Sequence, residues 1–537
     1  MYIRRIEGVI EPDKMPSLED VAPTAPQLPV AQLKHSLERV LFNPGVHWLQ
    51  DPRSRVYNFD PYVQEIPAVT DFAFERVTRF TASSQDTELH TLAAQENKLF
   101  SGSTSSLTPI LCHIYFLLSG DRFVDTSMLS MDFQSESRRF TPGQRMPASV
   151  QFNYKDGRYA VDTAGEKNGE SDKNILAWMG TMLEKFLTVP KEEFETYKRS
   201  NVDGPLPEKK TMREAFRFAK ARNFLLRSQL DCHDPRLPGT GVFDIKTRAC
   251  MAIRLDIFNY EENSGYLIRK QYGKFESFER EYYDLLRSAF LKYQFQARIG
   301  NMDGVIVAYH NTKQMFGFQY ISLEEMDLRL FGYGQGDVGQ RVFKGCLGIM
   351  EHLAEEIVNC FPNQSVQATF ETQEGTQKMD VWVEPLKWDG PEEERPMKQL
   401  EVRTWSYLDS VLARRRDALR GTNCGMETGS IRWSIAHLNQ DSDRARSAYF
   451  ESKRRQFRAW TVPTGVDADG LQEWYNGLDF GGSGDPDRTV SFNPERFKIQ
   501  PDRGLSHLRR LSERGRQETE RIQELEEGMP RHVLGEV

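Results

Sequence analysis

Two apolar runs joined by a short break limit what this chain can build. "FLLRSQLDCHD" (224–234) and "GVFDIKTRAC" (241–250) flank "PRLPGT", a Pro/Gly-rich turn. The second run has strand composition, so its side chains alternate: Phe243 and Ile245 take one face, and Val242, Asp244, Lys246 and Arg248 the other. In the first run Gln229, Asp231 and His233 share a face opposite Leu230 and Cys232. Folded as paired strands, the runs set one carboxylate from each beside the Lys246 ammonium. Asp231 is the expected contributor. Asp234 precedes a proline, suits the opening of a turn and stays as the alternative.

The acid-x-Lys triplet by itself says little, because Glu96-Asn-Lys98, Glu208-Lys-Lys210 and Glu451-Ser-Lys453 repeat it. Only Asp244-Ile-Lys246 lies in a strand-like run. Carboxylates from neighbouring strands form an oxygen-rich site suited to Mg²⁺ or Mn²⁺, which polarise a phosphoryl oxygen and acidify bound water. Lys246 then orients the attacking water or offsets charge on the phosphate.

Composition narrows the partners. A net charge of −8 opposes a non-specific polyanion coat, so any nucleic-acid contact has to be a local patch. The six cysteines form no CxxC pair and the histidines no HxxxH, which disfavours a zinc site and a disulfide framework. The most apolar run, "LTPILCHIYFLLSG" (107–120), is too short to span a bilayer and reads as a buried helix.

Along the chain, 1–33 reads as an extended arm and 34–170 as an α+β module containing a hairpin at 149–163, with Asp156-Gly157 at its turn. Residues 171–362 carry the core, with helices at 174–188, 276–300 and 336–360 and two strands between the latter pair. A hairpin/helix module follows at 363–470, then a linker and charged helical tail at 471–537. The tail helix (505–528) has an incomplete apolar stripe and needs a surface to lie on. The order of elements predicts an α/β core. Basic residues of an expected helix at 209–224, Lys220 among them, "KRRQFR" (453–458) with Trp460, and Arg248 are candidate phosphate contacts. "SGSTSS" before a helix presents Ser103, Thr104, Ser105 and Ser106 to a phosphate, with an N-cap as the alternative.

An acid, about a dozen residues and then Asp-x-Lys on a second strand resemble the PD-(D/E)XK nuclease superfamily, its RecB-like exonuclease branch especially. The resemblance implies a restriction-endonuclease-like core with N- and C-terminal α+β elaborations, and metal-dependent phosphodiester hydrolysis. It also implies a Glu on the preceding helix, which "GTMLEKFL" supplies as Glu184, a third metal ligand. A Gln on the following helix is Gln294 or Gln296 of "KYQFQARIG". More of the chain, including "ENKLFSGSTSSLTPILCHIYFLLSG", "GTMLEKFLT" and "LDCHDPRLPGTGVFDIKTRA", is similar to the fungal mitochondrial RNA-processing and degradation family of nuclear-encoded proteins. That likeness implies a single-stranded RNA substrate, 5′-to-3′ trimming and a mitochondrial address with peripheral inner-membrane association. It further implies the mitochondrial RNA polymerase as a partner. The rival readings are a non-catalytic adaptor that couples the polymerase to RNA turnover, and a DNA nuclease.

Overall fold

The turn at Asp156-Gly157 shows how local sequence sets the backbone. Both residues take positive φ (50° and 77°), and Ala148–Lys155 pairs antiparallel with Arg158–Thr163, closing at Lys155↔Arg158. The computed structural model describes residues 2–535 apart from 78–79, 165–174, 202–213, 333–337, 392–393, 414–418, 420–428, 440, 458–459, 462–464, 467–469, 471–472, 474–496 and 499–501. Most of the expected linker at 471–537 before its helix, and Lys209, Lys210 and Arg213, lie outside the described residues.

The hairpin occupies the middle of a twelve-stranded sheet. Its neighbours come from distant parts of the chain: Val366–Thr372 flanks one side, and Phe100–Ser103 the other. The 1–33 arm is not merely extended. Tyr2–Ile10 forms one edge of this sheet and Glu19–Val21 the opposite edge. Strands from the expected N-terminal, core and C-terminal modules are thus hydrogen-bonded into one sheet, so those boundaries do not separate independent units.

The elements that build the site follow in chain order. Helix α1 (Thr104–Leu118) is buried along most of its length in the main core, as the run at 107–120 predicts. Helix α2 (Ile175–Thr188) places Ile175, Met179, Met182, Leu183 and Phe186 inward. Strand β1 (Phe224–Gln229) belongs to the large sheet. Three residues later the chain enters a second, five-stranded sheet as β2 (Cys232–His233), turns, and returns as β3 (Val242–Ala249). Helix α3 (Phe290–Gly300) leads to β4 (Gly304–His310), parallel to β3, and β5 (Met315–Ser322) closes back antiparallel. Val46–Trp48 adds the far edge.

The period-2 pattern of β3 sorts its faces as expected. Phe243 and Ile245 pack with the apolar side of α2, while Val305 and Val307 of β4 face the main core with α3. One helical expectation fails. Residues 216–221 form a strand paired with β1 across a tight turn at Arg222, whose φ is +44°. The expected single helix at 276–300 is two, Phe278–Ser288 and α3.

The C-terminal helix Arg503–Glu526 finds its surface within the chain. Leu505, Leu508 and Leu511 are buried, Arg509 pairs with Asp256 at 2.8 Å, and Gly515 lies against the Gly265 carbonyl. Among the described residues no helix is long and apolar enough to cross a membrane.

Candidate functional site

The site lies where the chain leaves one sheet for the other. β2 is only two residues long and pairs with Val242 and Phe243, so the ladder stops short of Ile245. The Asp231 side chain takes over: its Oδ2 accepts the Ile245 N–H at 3.1 Å. This substitution of a carboxylate for a backbone carbonyl brings Asp231 alongside Asp244. The turn between β2 and β3 is held separately. Asp234 caps it, accepting from Arg236 at 2.6 and 2.9 Å, and its carboxyl is held below the usual range by that hydrogen bonding. Gly241 (φ +77°) is needed there because a Cβ would meet the Asp234 carbonyl at 2.8 Å. Asp231, not Asp234, therefore shares the neighbourhood of Asp244.

Asp244 is 5% exposed, and its carboxylate pairs with the Lys246 ammonium two residues on. The Lys246 Nζ also sits 5.3 Å from the Tyr293 ring centroid on α3, a cation–π contact. Burial works against both charges, yet the Lys246 charge and the hydrogen bonds from Asp231, Lys246 and Ile245 keep Asp244 below its ordinary value. Lys246 is pushed above its own, the Asp244 and Asp231 charges outweighing burial. Asp231 moves the other way: burial, then the Asp244 and Glu184 charges, raise it well above a normal carboxyl, and it hydrogen-bonds to Asp244 as the protonated partner. Glu184 on α2 is raised to about 7, mainly by burial, with Lys185 opposing and Glu214 and Asp244 adding to it. Three carboxyl groups and one ammonium thus lie within electrostatic reach of one another, and the acids resist ionising together.

Among the described residues no group of three His, Cys, Asp or Glu side chains is spaced to hold a metal as it stands. The expected trio of Glu184, Asp231 and Asp244 is an Asp–Asp pair with Glu184 within electrostatic reach, and Lys246 takes one Asp244 oxygen. The donor chemistry still fits a hard dication. All the donors are oxygens, and the burial and mutual repulsion that drive Asp231 and Glu184 upward are what a bound divalent charge offsets.

Other expectations are corrected. Gln294 is buried and donates to Asp327 at 3.1 Å rather than joining the carboxylates; the Gln296 Oε1 is buried without a partner. Ser103–Ser106 cap α1: the Ser103 N–H donates to Ser106 Oγ, and the Ser103 and Ser105 hydroxyls bond each other at 2.7 Å. Thr104 uses its carbonyl to accept from Thr108. Lys220 is neutralised by Glu96 at 2.7 Å, on a strand rather than a helix. Arg248 is buried and reaches Ser288 at 3.2 Å. Sequence reasoning missed Tyr293, although it stands one residue before Gln294.

This is a mixed α/β protein with a buried carboxylate–lysine site at the junction of two sheets. The family model of "Mitochondrial protein Pet127" matches residues 80–355, and the chain belongs to that family. The Schizosaccharomyces pombe "mRNA degradation protein pet127, mitochondrial" is 37% identical over 67% of this chain and 67% of its own length. Saccharomyces cerevisiae PET127, provisionally named a mitochondrial translation system component, is 39% identical over 55% of this chain and 37% of its own. This chain therefore spans about a third to two thirds of these relatives. A solved Scheffersomyces stipitis Rai1 overlaps with a TM-score of 0.32 at 10% identity, over 68% of this chain and 92% of that one.

Proposed function

We propose that this chain hydrolyses RNA phosphodiester bonds at a PD-(D/E)XK-type site centred on Asp231, Asp244 and Lys246, inside mitochondria. The observation that carries the reading is the junction itself, where Asp231 leaves the backbone ladder to meet Asp244 beside a desolvated ammonium. Mg²⁺ or Mn²⁺, held by Asp231 and Asp244 with Glu184 in reach, would supply an activated water and neutralise phosphate charge.

The protein's own groups divide the remaining work. Lys246 stays protonated, so it stabilises charge on the phosphate and does not act as a base. Glu184, raised to about 7 in the metal-free site, would be drawn down by the divalent charge and, as a carboxylate beside the Asp pair, would accept the proton of the attacking water. Tyr293 fixes Lys246 through its ring. The name of the fission-yeast relative, an mRNA degradation protein, supports RNA as substrate. The likeness to the fungal mitochondrial RNA-processing and degradation family supports single-stranded RNA and 5′-to-3′ polarity.

Purified protein is tested on RNA labelled at either end, with Mg²⁺ and with EDTA. Degradation from the 5′ end that needs metal, and that Asp244→Asn removes while RNA binding persists, is the expected result. Undiminished cleavage by Asp244→Asn rejects the site. The name of the budding-yeast relative, a mitochondrial translation system component, favours a second reading, an adaptor of the mitochondrial expression machinery; the family resemblance adds the polymerase and the inner membrane as its expected partners. Binding with no metal-dependent cleavage by the wild type selects it.

A further inference from the structure

Glu184 looks two ways. On its other side is a cavity of about 130 Å³, walled by Phe80, Phe216, Thr181, Glu214 and Gln229 among others. The cavity touches the large-sheet end of the junction, since Gln229 ends β1 two residues before Asp231. We propose that this cavity receives one nucleobase of the RNA strand next to the phosphate being cut. The inference rests on the nuclease reading above.

Three features argue for a base. First, the wall is aromatic: Phe80 is 56% exposed, more than any other phenylalanine among the described residues, and Phe216 lines the cavity with it. The Arg227 guanidinium lies 5.9 Å from the Phe80 ring centroid and 5.0 Å from that of Phe216, so one cation steadies both rings. Second, that cation has no capacity left for a ligand phosphate. Arg227 is 2% exposed, paired with Asp86, and donates to the Thr81 carbonyl at 2.6 Å. Third, the remaining charges repel anions. Lys185 is tied to Glu214 at 3.5 Å, which leaves Glu184 to face the opening. A flat neutral ring suits this lining, because it stacks on Phe80 and offers edge donors to Glu214 and Gln229.

Such a pocket fixes the strand. With one base seated, the adjoining phosphodiester is brought towards the Lys246 ammonium and the dication that the Asp pair would hold, so stacking contributes to positioning at the reacting bond.

The test uses the full chain and short 5′-phosphorylated RNAs carrying a single abasic residue at the first, second or third position. The wild type should cut intact RNA about tenfold faster than RNA abasic at one of these positions. Phe80→Ala should slow intact RNA by a similar factor and lose the distinction, while Phe80→Trp should restore both. Equal rates on intact and abasic RNA, or full discrimination by Phe80→Ala, overturn the pocket. Asp244→Asn separates the two claims. Its RNA binding should still weaken when Phe80→Ala is added, whereas cleavage by Asp244→Asn would reject the nuclease reading and leave that binding comparison to judge the pocket.

Discussion

Glu184 is held near 7 by burial and by its acidic neighbours, against an ordinary value of 4.5. In the ionised state it therefore costs the fold stability. Moving a carboxyl over that range corresponds to roughly 3 kcal/mol, since each tenfold change in proton affinity is about 1.4 kcal/mol. The partly open rim of the site trims this to about 2 kcal/mol. The sign follows from the raised value: the native protein prefers the protonated acid, so the contribution is intact below about 4.5 and is lost as pH rises through about 7. Glu184→Gln removes the penalty and keeps the shape. In metal-free buffer at pH 8 the variant should melt about 2 °C above the wild type, taking the unfolding entropy of a chain this long. At pH 5 the gain should shrink to a small fraction of that. The variant should also lose most of its RNA cleavage, as expected where a functional site is held at a stability cost. Scanning calorimetry across pH 5–8 makes the comparison. A variant less stable than the wild type at pH 8, or equally favoured at every pH, refutes the electrostatic account.

Asp86→Asn keeps a cap on the helix Thr87–Gln95 but takes the Asp86 carboxylate away from the buried Arg227 guanidinium. It should destabilise the protein by about 3–5 kcal/mol, read by chemical denaturation. Gly515→Ala should free the C-terminal helix, because a Cβ there would stand 2.1 Å from the Gly265 carbonyl oxygen. Limited proteolysis should cut residues 503–526 faster, with RNA cleavage kept.

The short-range parts of this fold were legible because they follow from local periodicity. Alternation in 242–248 sorted Asp244 and Lys246 from Phe243 and Ile245 correctly, and Asp156-Gly157 required a turn. The 209–224 segment misled because its basic residues look like one helical face. They answer instead to acids far away in sequence, Arg217 to Asp20 and Lys220 to Glu96, and to a strand partner that only tertiary structure supplies. The hydroxyl-rich 101–106 stretch, richer in Ser and Thr than a cap requires, points to a phosphate, yet its hydroxyls go to capping because α1 is buried and its first turn needs partners. Choosing between Gln294 and Gln296 depends on the roll of α3 against the sheet. Tyr293 turns towards Lys246, and Gln294 turns towards Asp327. The order of strands in the large sheet was invisible because several of its pairings, Ile10 with Ile431 and Ala148 with Phe370 among them, join residues hundreds of positions apart.

Titration of Mn²⁺ into the purified protein, followed by calorimetry in two buffers of different protonation enthalpy, reaches the centre of the account. Binding should release a proton, since Asp231 must give one up to become a ligand, and both Asp231→Asn and Asp244→Asn should abolish it. Binding that leaves the proton count unchanged, or that survives both substitutions, would place any metal elsewhere and contradict the shared-cation site.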